Sequence, residues 1–265
     1  MDLAPPTSLI IATYNWAEAL HCNLLSVARQ KVLPKEVIIA DDGSDSRTRT
    51  VINQMQETFP VPIWHVWQED IGFRKSQILN KAISRSTGSY VIQVDGDVLL
   101  HPSFVADHLA AAETGAFVRG TRARLTAQKT ESVLQNTNVN LRFYSSGVNN
   151  RLNALRLPAQ WGLGHRKEMT SCSVRGSNLA YWKTDFIRVN GYNNELNGWG
   201  HEDEELAARF INNGIEKKIV KLAAVQFHLH HDELPKPNEP FHRQIIEKTL
   251  NKKVKRCTNG YEDIL

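Results

Sequence analysis

The first hundred residues alternate short apolar runs with segments of helical spacing, and this alternation constrains the fold more than any other feature. The apolar runs, which we interpret as buried strands, lie at residues 8–12, 36–40, 62–67 and 90–94. The segments with apolar residues every three or four positions lie at 20–28, 48–58 and 75–84. Strands that alternate with helices form a parallel sheet covered on both faces. The pattern predicts an α/β fold with a doubly wound, mostly parallel central sheet.

Polar residues follow these strands, at the edge of the sheet where α/β proteins bind ligands. Thr13 follows the first strand, Asp42 the second, and the fourth runs into Asp95-Gly96-Asp97. The turn at 70–74, which ends in Arg74, follows the third. An isolated Asp-x-Asp is common in turns, but this one shares an edge with other polar strand ends. Carboxylates suit Mn²⁺ or Mg²⁺, whose shell a diphosphate completes, so we expect a metal and diphosphate site here.

A histidine cluster near the end of the chain is a second source of metal ligands. The sequence His228-Leu229-His230-His231 follows apolar runs at 219–222 and 224–227. On a strand, His228 and His230 would share one face, whereas on a turn His228 and His231 would converge. Neutral imidazole is a good manganese ligand, so the cluster predicts a metal contact and leaves the choice of histidine open.

The stretch 197–206 combines a glycine-rich turn, a tryptophan and an acidic run. Carboxylates suit the positive end of a helix, and this explanation accounts for Glu204 and Glu205. It does not account for Trp199, which lies between two glycines directly before the acids. An aromatic ring beside a carboxylate suits a site that stacks on a sugar and removes a hydroxyl proton.

Charge and cysteine content narrow the protein class. The segment from Arg119 to Arg175 contains ten Lys or Arg and two Glu, a net charge of +8, which favours an anionic or phosphate-bearing partner. For any single residue of the segment, a solvated loop face is an equal alternative. The three cysteines of the whole chain are well separated and include no Cys-x-x-Cys pair, so we expect reduced thiols and no zinc site. Without a run of eighteen apolar residues or a signal pattern at 1–7, we expect a cytoplasmic protein without a nucleic-acid partner.

The chain is predicted to form one domain, 1–265, with three parts. Residues 1–118 form a nucleotide-binding half, 119–171 a basic insert, and 172–265 an acceptor and catalytic-base half. Within the insert we predict a helix at 132–145 and a long loop, because glycines and a proline follow at Gly147, Pro158, Gly162 and Gly164. A strand at 173–181 then leads back into the site.

Together these motifs resemble known glycosyltransferases. Residues 8–15, 41–44 and 95–97 resemble the N-terminal half of family-2 inverting glycosyltransferases. The later segments resemble the C-terminal region of β1,4-galactosyltransferases and bacterial chondroitin polymerases, and they lie at 175–178, 190–192 and 198–203. The resemblance covers 7–118 and 172–232 but not the basic middle segment.

The resemblance implies a GT-A fold with a C-terminal acceptor-binding lobe, a UDP-sugar donor and Mn²⁺ or Mg²⁺. By position, Thr13 and Asp42 would contact the nucleoside, and Arg74 would approach the uracil or diphosphate. Asp95 would contact the ribose, and Asp97 would bind the metal.

The second half of the site is implied in the same way. Trp199 would lie over the donor or acceptor sugar, Glu202 would orient it, and Asp203 would be the catalytic base. Asn178 and Glu204 are further acceptor-side candidates. A Met-x-x-His completes the metal site in the galactosyltransferases, and the matching span here leaves His228 and His231 as alternative ligands. A histidine, His201, replaces a glycine of the family pattern, which leaves sugar preference open.

The function implied is inverting transfer of a sugar, of galactose or N-acetylhexosamine type, to a glycan hydroxyl in bacterial surface polysaccharide or lipopolysaccharide synthesis. A lipid-linked acceptor would bring the protein to the anionic inner face of the membrane.

Three alternative functions explain fewer of these sequence features. A sugar-1-phosphate nucleotidyltransferase needs a glycine-rich phosphate loop after the first strand, and residues 13–16 supply none. A non-catalytic sugar-binding protein leaves the acids and histidines unexplained. A glycoside hydrolase leaves the nucleotide motifs unexplained.

Overall fold

The computed structural model describes residues 4–157, 165–232 and 237–264. Its strands are β1 Thr7–Thr13, β2 Glu36–Asp41, β3 Ile63–Trp67, β4 Tyr90–Asp95, β5 Val98–Leu100, β6 Ala116–Arg119, β7 Ala123–Leu125, β8 Val148–Asn149, β9 His165–Glu168, β10 Leu179–Trp182, β11 Glu216–Val220 and β12 Gln226–His228. Its α-helices are α1 Ala17–Ala28, α2 Ser46–Thr58, α3 Lys75–Arg85, α4 Phe104–Ala111, α5 Ala127–Asn136, α6 Lys183–Arg188, α7 Glu202–Asn212 and α8 Glu239–Asn251. Within these described ranges, no helix has the length and apolar character needed to cross a membrane.

The central sheet has eight strands in the order β3-β2-β1-β4-β10-β6-β11-β9. Strands β1 to β4 pair in parallel, which confirms the fold predicted for the first half. Strand β10 runs antiparallel to both of its neighbours, β4 and β6. It therefore begins at the edge where β4 ends, and the residues just before it lie at the ligand-binding edge.

Alternate residues of β1 enter two separate cores. Leu9 and Ile11 pack in one cluster with Leu20 of α1, whereas Ile10 packs in another with Ile78 of α3. Because both faces of the strand meet helices, the strand is apolar at nearly every position rather than at alternate ones. The doubly wound arrangement thus explains the continuous apolar runs of the sequence.

A second sheet, in the order β5-β12-β7-β8, brings the end of the chain to the acidic turn. Strand β12 runs antiparallel to β5, and His228 lies opposite Val98. The backbone N–H of Leu229 also donates to the carbonyl of Asp97 at 2.9 Å. Because β5 begins directly after Asp97, this pairing carries the histidine cluster to that carboxylate.

The helix predicted at 132–145 is wrong at both ends, because α5 spans Ala127–Asn136. The Thr126 side chain accepts a hydrogen bond from the backbone of Lys129 and caps the helix. Thr137 adopts a left-handed conformation with φ 50°, which ends it. The sequence interpretation missed the threonine cap and extended the helix into the following loop.

Other predicted boundaries also changed. The strand predicted at 173–181 begins only at Leu179, after a short 3-10 turn at Gly176–Asn178. The N–H of Gly176 donates to a side chain and is therefore not available to a strand ladder. Strands β11 and β12 overlap the predicted runs at 219–222 and 224–227 without sharing their bounds. The loop positions 158, 162 and 164 lie outside the described residues.

Candidate active site

Asp97, His228 and His231 converge where the two sheets meet. The Nε2 atom of His231 lies 3.2 Å from Oδ2 of Asp97, and that of His228 lies 3.5 Å from it. One ligand atom from each residue falls within 4.8 Å of the other two. Within the described part of the chain, the buried Oδ1 of Asp97 has no hydrogen-bond partner. One carboxylate and two imidazoles fit a divalent transition metal such as Mn²⁺.

Backbone carbonyls set the orientation of both imidazoles. Nδ1 of His228 lies 2.7 Å from the carbonyl of Leu229, and Nδ1 of His231 lies 2.7 Å from that of Asp232. Because Nδ1–H donates to these carbonyls, Nε2 is the atom directed at Asp97. His230 is separate, since its backbone donates to Thr130 and its side chain is exposed. The cluster therefore forms as a turn, with both alternative ligands beside Asp97.

The candidate nucleoside contacts lie at the ends of β1 and β2. Thr13 and Asp42 are buried, and the Asp42 carboxylate accepts hydrogen bonds from Gln68 Nε2 at 2.6 Å and from the backbone of Arg74 at 2.7 Å. Burial raises the pKa of Asp42 although these hydrogen bonds oppose the shift. The Arg74 guanidinium donates to the carbonyl of Glu69. Hydrogen bonds thus join Asp42 to Gln68 and to the predicted site residue Arg74.

Lys75, which sequence analysis did not single out, connects the two halves of the site. Its Nζ lies 2.7 Å from Oδ1 of Asp95 and 3.8 Å from Oε1 of Glu202. Burial lowers the pKa of Lys75, but Asp95, Asp203 and Glu202 outweigh it and raise the pKa above its ordinary value. The residue opens α3, whose first turn has no acid and no side-chain cap. A cation is unfavourable at a helix N-terminus, so Lys75 serves the site rather than the helix.

Glu202 is a buried carboxyl beside a second carboxylate. It is 4% exposed, and its Oε2 accepts a hydrogen bond from the N–H of Gly200 at 3.1 Å. Burial first, and then the charges of Asp203 and Asp95, raise the pKa of Glu202 to about 7, against the opposing effect of Lys75. Glu202 therefore changes charge near neutral pH, and Lys75 is the group that favours its ionised form.

Replacing Lys75 with methionine should shift the pH profile of activity. Loss of the ammonium removes the charge that favours ionised Glu202, so its pKa rises and a higher pH is needed to ionise it. We expect the acid limb of kcat/KM to move upward by about one pH unit or more. Steady-state rates between pH 5 and 9 measure this. Lys35→Met, at an exposed lysine, is the control, and an unshifted limb in Lys75→Met would refute this role.

Asp203 is held by one backbone and one side-chain donor. The N–H of Gly176 donates to its Oδ2 at 2.6 Å, and the hydroxyl of Tyr192 donates to its Oδ1 at 2.8 Å. The same hydroxyl lies 3.0 Å from Oε1 of Gln93, but a carboxylate is the stronger acceptor of its one proton. Each oxygen of Asp203 keeps a further lone pair, so the carboxylate is oriented without being saturated.

Gly176 is required by the close approach of its backbone to this carboxylate. A Cβ at this position would lie 2.4 Å from Oδ1 of Asp203 and 2.5 Å from Nε2 of Gln93. Both distances are shorter than real contacts, so any larger residue would displace Asp203. Tyr192, Gln93 and Gly176 were not predicted as site residues, although Gly176 and Tyr192 lie in the resemblance segments 175–178 and 190–192.

Helix α8 fixes the turn that carries Trp199. Nδ1 of His242 lies 2.7 Å from the carbonyl of Gly200, and its Nε2 lies 3.0 Å from that of Asn197. Nδ2 of Asn238 also donates to the carbonyl of Asn197 at 2.8 Å. Both ends of the turn are therefore tied to one helix, and the half-buried Trp199 lies between them.

The backbone of this turn explains the glycine pattern. Gly198 and Gly200 have φ values of 94° and 114°, which glycine adopts freely. His201, at the glycine position of the family pattern, has φ 71°. A non-glycine residue there is strained, but the His201 ring contacts Glu204 at 3.2 Å and Glu239 at 3.6 Å. These contacts join α7 to α8 and account for the histidine structurally.

Two residues predicted on the acceptor side, Asn178 and Glu204, contact other side chains of the protein. Asn178 is 3% exposed and its amide is fully engaged: Oδ1 lies 2.9 Å from His108 Nε2, and Nδ2 donates to the carbonyls of Thr121 and Ala224. It holds three segments together, and we leave it out of the proposed acceptor site. Glu204 contacts His201, as the helix-end explanation of the acidic run allowed.

Two family models match this chain. The model of Glycosyl transferase family 2 matches residues 8–169, more than half of the chain. A second model, described as the N-terminal domain of galactosyltransferase, matches residues 165–232, which hold the acidic turn and the histidines. The first match extends through the basic middle segment, which the sequence resemblance did not cover, and meets the second at residues 165–169.

Two curated relatives are similar over most of this chain. Validoxylamine A glucosyltransferase of Streptomyces hygroscopicus subsp. limoneus is 28% identical over 81% of this chain and 50% of its own length. Chondroitin synthase of Escherichia coli is 25% identical over 88% of this chain and 35% of its own length. The chain thus spans about half, or less, of these relatives.

The fold agrees with a solved glycosyltransferase structure. The mannosyltransferase PcManGT from Pyrobaculum calidifontis, in complex with GDP-Man and Mn²⁺, aligns with a TM-score of 0.62 at 18% identity, covering 99% of this chain and 68% of that one. This similarity shows the fold alone, and the predicted GT-A fold is confirmed. On these matches, the chain belongs to glycosyl transferase family 2.

Proposed function

We propose that the chain is a metal-dependent, inverting glycosyltransferase that moves a sugar from a UDP-sugar to a hydroxyl of a glycan acceptor. One observation carries the proposal: a ready-made metal ligand set, Asp97, His228 and His231, lies on the same sheet edge as the oriented carboxylate Asp203. Proton removal and leaving-group stabilisation are the two requirements of glycosyl transfer to a hydroxyl.

In the proposed mechanism, Asp203 accepts the proton of the attacking acceptor hydroxyl. The hydroxyl oxygen forms a bond to the anomeric carbon as the bond from that carbon to the diphosphate oxygen breaks. The leaving diphosphate keeps the electron pair, and in-line attack inverts the anomeric centre. A divalent ion held by Asp97, His228 and His231 would neutralise the charge on the diphosphate.

The chain's own residues prepare this step. Gly176 and Tyr192 fix the Asp203 carboxylate, so little reorientation is needed when the hydroxyl arrives. Lys75 pairs with Asp95, the proposed ribose contact, and favours ionised Glu202 beside the base. Trp199 offers a ring for the apolar face of a sugar.

The donor assignment to UDP rests on the resemblance to galactosyltransferases and chondroitin polymerases. The matched galactosyltransferase model supports it, whereas the similar mannosyltransferase structure contains GDP-Man and makes GDP the main competitor. We further propose a glycan acceptor in bacterial surface polysaccharide or lipopolysaccharide synthesis, reached at the cytoplasmic membrane face. The chondroitin synthase relative and the basic segment at 119–175 support a glycan acceptor of this kind.

Slow donor hydrolysis, with water as acceptor, tests the reaction without knowledge of the true acceptor. The protein is incubated with Mn²⁺ and α-linked UDP-galactose, UDP-glucose, the two UDP-N-acetylhexosamines or GDP-mannose. We expect nucleotide release from at least one UDP-sugar, with the β-anomer of the free sugar seen first by NMR. Initial release of the α-anomer would contradict inversion. Release from GDP-mannose alone would contradict the UDP assignment.

A further inference from the structure

Four arginines gather beside the proposed metal site on two adjoining segments. Arg119 ends β6, Arg122 directly precedes β7, Arg124 lies within β7, and Arg175 precedes β10. We call Arg119, Arg122, Arg124 and Arg175 the arginine cluster. In the described ranges, none of the four forms an ion pair within 4 Å. Their guanidinium groups are therefore available to pair with an external anion.

Hydrogen bonds fix the two segments against each other. Nε of Arg119 donates to the carbonyl of Ser173 at 3.0 Å, which ties β6 to the segment that carries Arg175. The N–H of Gly120 donates to the carbonyl of Asn178 at 3.0 Å, and the Asn178 amide returns a bond to Thr121 at 2.8 Å. The contacts of Asn178 are buried and that of Arg119 is exposed, and together they hold the two arginine-bearing segments against each other.

Sheet register places one member of the cluster, Arg124, on the same face as the proposed metal ligand His228. Arg124 pairs with His228 in the parallel ladder between β7 and β12, so their side chains share a face. Arg122 lies just before β7, close enough to Arg124 and Asp97 for their charges to act on it. Two residues before His228 on β12, and therefore on the same face, lies the fully buried Gln226. Its Nε2 is 3.5 Å from the hydroxyl of Ser177, and its Oε1 has no partner among the described residues. The face thus leads from the metal ligands to the Arg175 segment.

The charges of the cluster act on one another. Burial first, and then the neighbouring Arg175 and Arg124, lower the pKa of Arg122 to about 10. Asp95 and Asp97 oppose this shift, but Lys75 already pairs with Asp95, and Asp97 faces two histidines. Glu168 acts on Arg119 but pairs with Arg166 and Lys217. Bringing an anion between the arginines would relieve this repulsion.

Arg175 lies beside the path of the acceptor sugar rather than beside the proposed nucleoside contacts. Arg175 is exposed and directly precedes Gly176, whose N–H holds the Asp203 carboxylate at 2.6 Å. An attacking hydroxyl must come within hydrogen-bond reach of Asp203, and so its sugar passes beside Arg175. The proposed nucleoside contacts, Thr13 and Asp42, lie instead at the ends of β1 and β2.

We infer that the arginine cluster binds an acidic group, a carboxylate or a phosphate, on the acceptor glycan close to the attacking hydroxyl. The inference rests on the proposed function, since it takes Asp203 as the base. It assigns the acceptor to the acidic glycans: sugars that bear a uronate or a phosphate ester. Arg122 and Arg175 would make the direct contacts, and Arg119 would hold the Arg175 segment in place.

A matched set of three probes tests this inference. Methyl glucoside, methyl glucuronide and methyl glucoside 6-phosphate differ only at C6, and their binding is measured by NMR titration at 50 and 500 mM salt. Titrations are run with and without UDP and Mn²⁺. The preference for acidic over neutral probes is therefore measured even if the protein does not use a UDP-sugar. We expect at least one acidic probe to bind about tenfold or more tightly than the neutral one at low salt. At 500 mM salt the difference in affinity between the acidic and neutral probes should become smaller, because exposed charges are screened.

Variants assign the effect to the cluster. Arg122→Gln and Arg175→Gln should each remove most of the acid preference, whereas Arg151→Gln, at an exposed arginine of the same basic segment, should keep it. Arg175→Gln alters a surface residue and guards against a folding defect in Arg122→Gln, which thermal unfolding would reveal. Equal binding of all three probes by the wild type would overturn the inference, as would an acid preference that survives in both variants. About tenfold weaker UDP binding in both variants, with the acid preference intact, would assign the arginines to the donor diphosphate instead.

Discussion

Asp203→Asn should reduce sugar transfer about 10²- to 10⁴-fold while donor binding stays close to that of the wild type. The asparagine amide cannot accept a proton from the attacking hydroxyl. Its oxygen can still accept the hydrogen bond from Gly176, and its size matches the space that the aspartate fills. The loss therefore falls on the chemical step, in kcat rather than in nucleotide affinity.

Transfer rates and calorimetric UDP affinity are both needed to measure this effect. Asp185→Asn, on helix α6, is a matched control, because Asp185 pairs only loosely with Arg188, at 3.6 Å. Wild-type turnover in Asp203→Asn would refute the base assignment. Loss of UDP binding along with turnover would give Asp203 a structural role instead.

Arg209→Met should lower the free energy of unfolding by about 3–5 kcal/mol, since it leaves a buried carboxylate unpaired. Arg209 is 0% exposed and Glu205 is 1% exposed. Nη2 and Nε of Arg209 donate to the Glu205 carboxylate at 2.7 to 3.0 Å, and Nη1 donates to the carbonyls of Val189 and Gly191 at 2.6 Å. The pair thus supports the turn just before Tyr192, which holds Asp203.

Urea denaturation at pH 7 measures this change in the free energy of unfolding, and Arg243 provides the control. Arg243 pairs with Glu239 at the same four-residue spacing, but 63% of its side chain is exposed. Arg243→Met should cost less than about 1 kcal/mol, as surface pairs do. The double variant Glu205→Leu/Arg209→Met should recover much of the loss, because no charge is left buried. A loss below about 1 kcal/mol in Arg209→Met would contradict the account of the pair.

The half of the site that follows from strand ends was predictable from the sequence. Buried parallel strands are apolar throughout, so the polar residues that end them stand out, and topology brings Thr13, Asp42 and Asp97 to one edge. The His228–His231 segment was recognisable as a cluster. Its arrangement as a turn was not, because it depends on the pairing of β12 with β5.

The supporting residues escaped prediction because their roles arise from contacts between distant segments. Lys75 contacts Glu202, and Tyr192 and Gly176 hold Asp203, but none of these residues belongs to a local pattern that indicates its partner. Asn178 is the reverse case. The resemblance placed it in the acceptor site, whereas its amide is engaged by His108 and two backbone carbonyls.

The most direct test of the central claim is a calorimetric titration of UDP into the protein with Mn²⁺ and with EDTA, repeated for Asp97→Asn. We expect UDP binding to depend on Mn²⁺ and to fall about tenfold or more in Asp97→Asn, because that variant loses the one carboxylate of the ligand set. GDP should bind more weakly than UDP. Equal UDP binding with Mn²⁺ and with EDTA, or none under either condition, would contradict a metal-assisted UDP-sugar transferase.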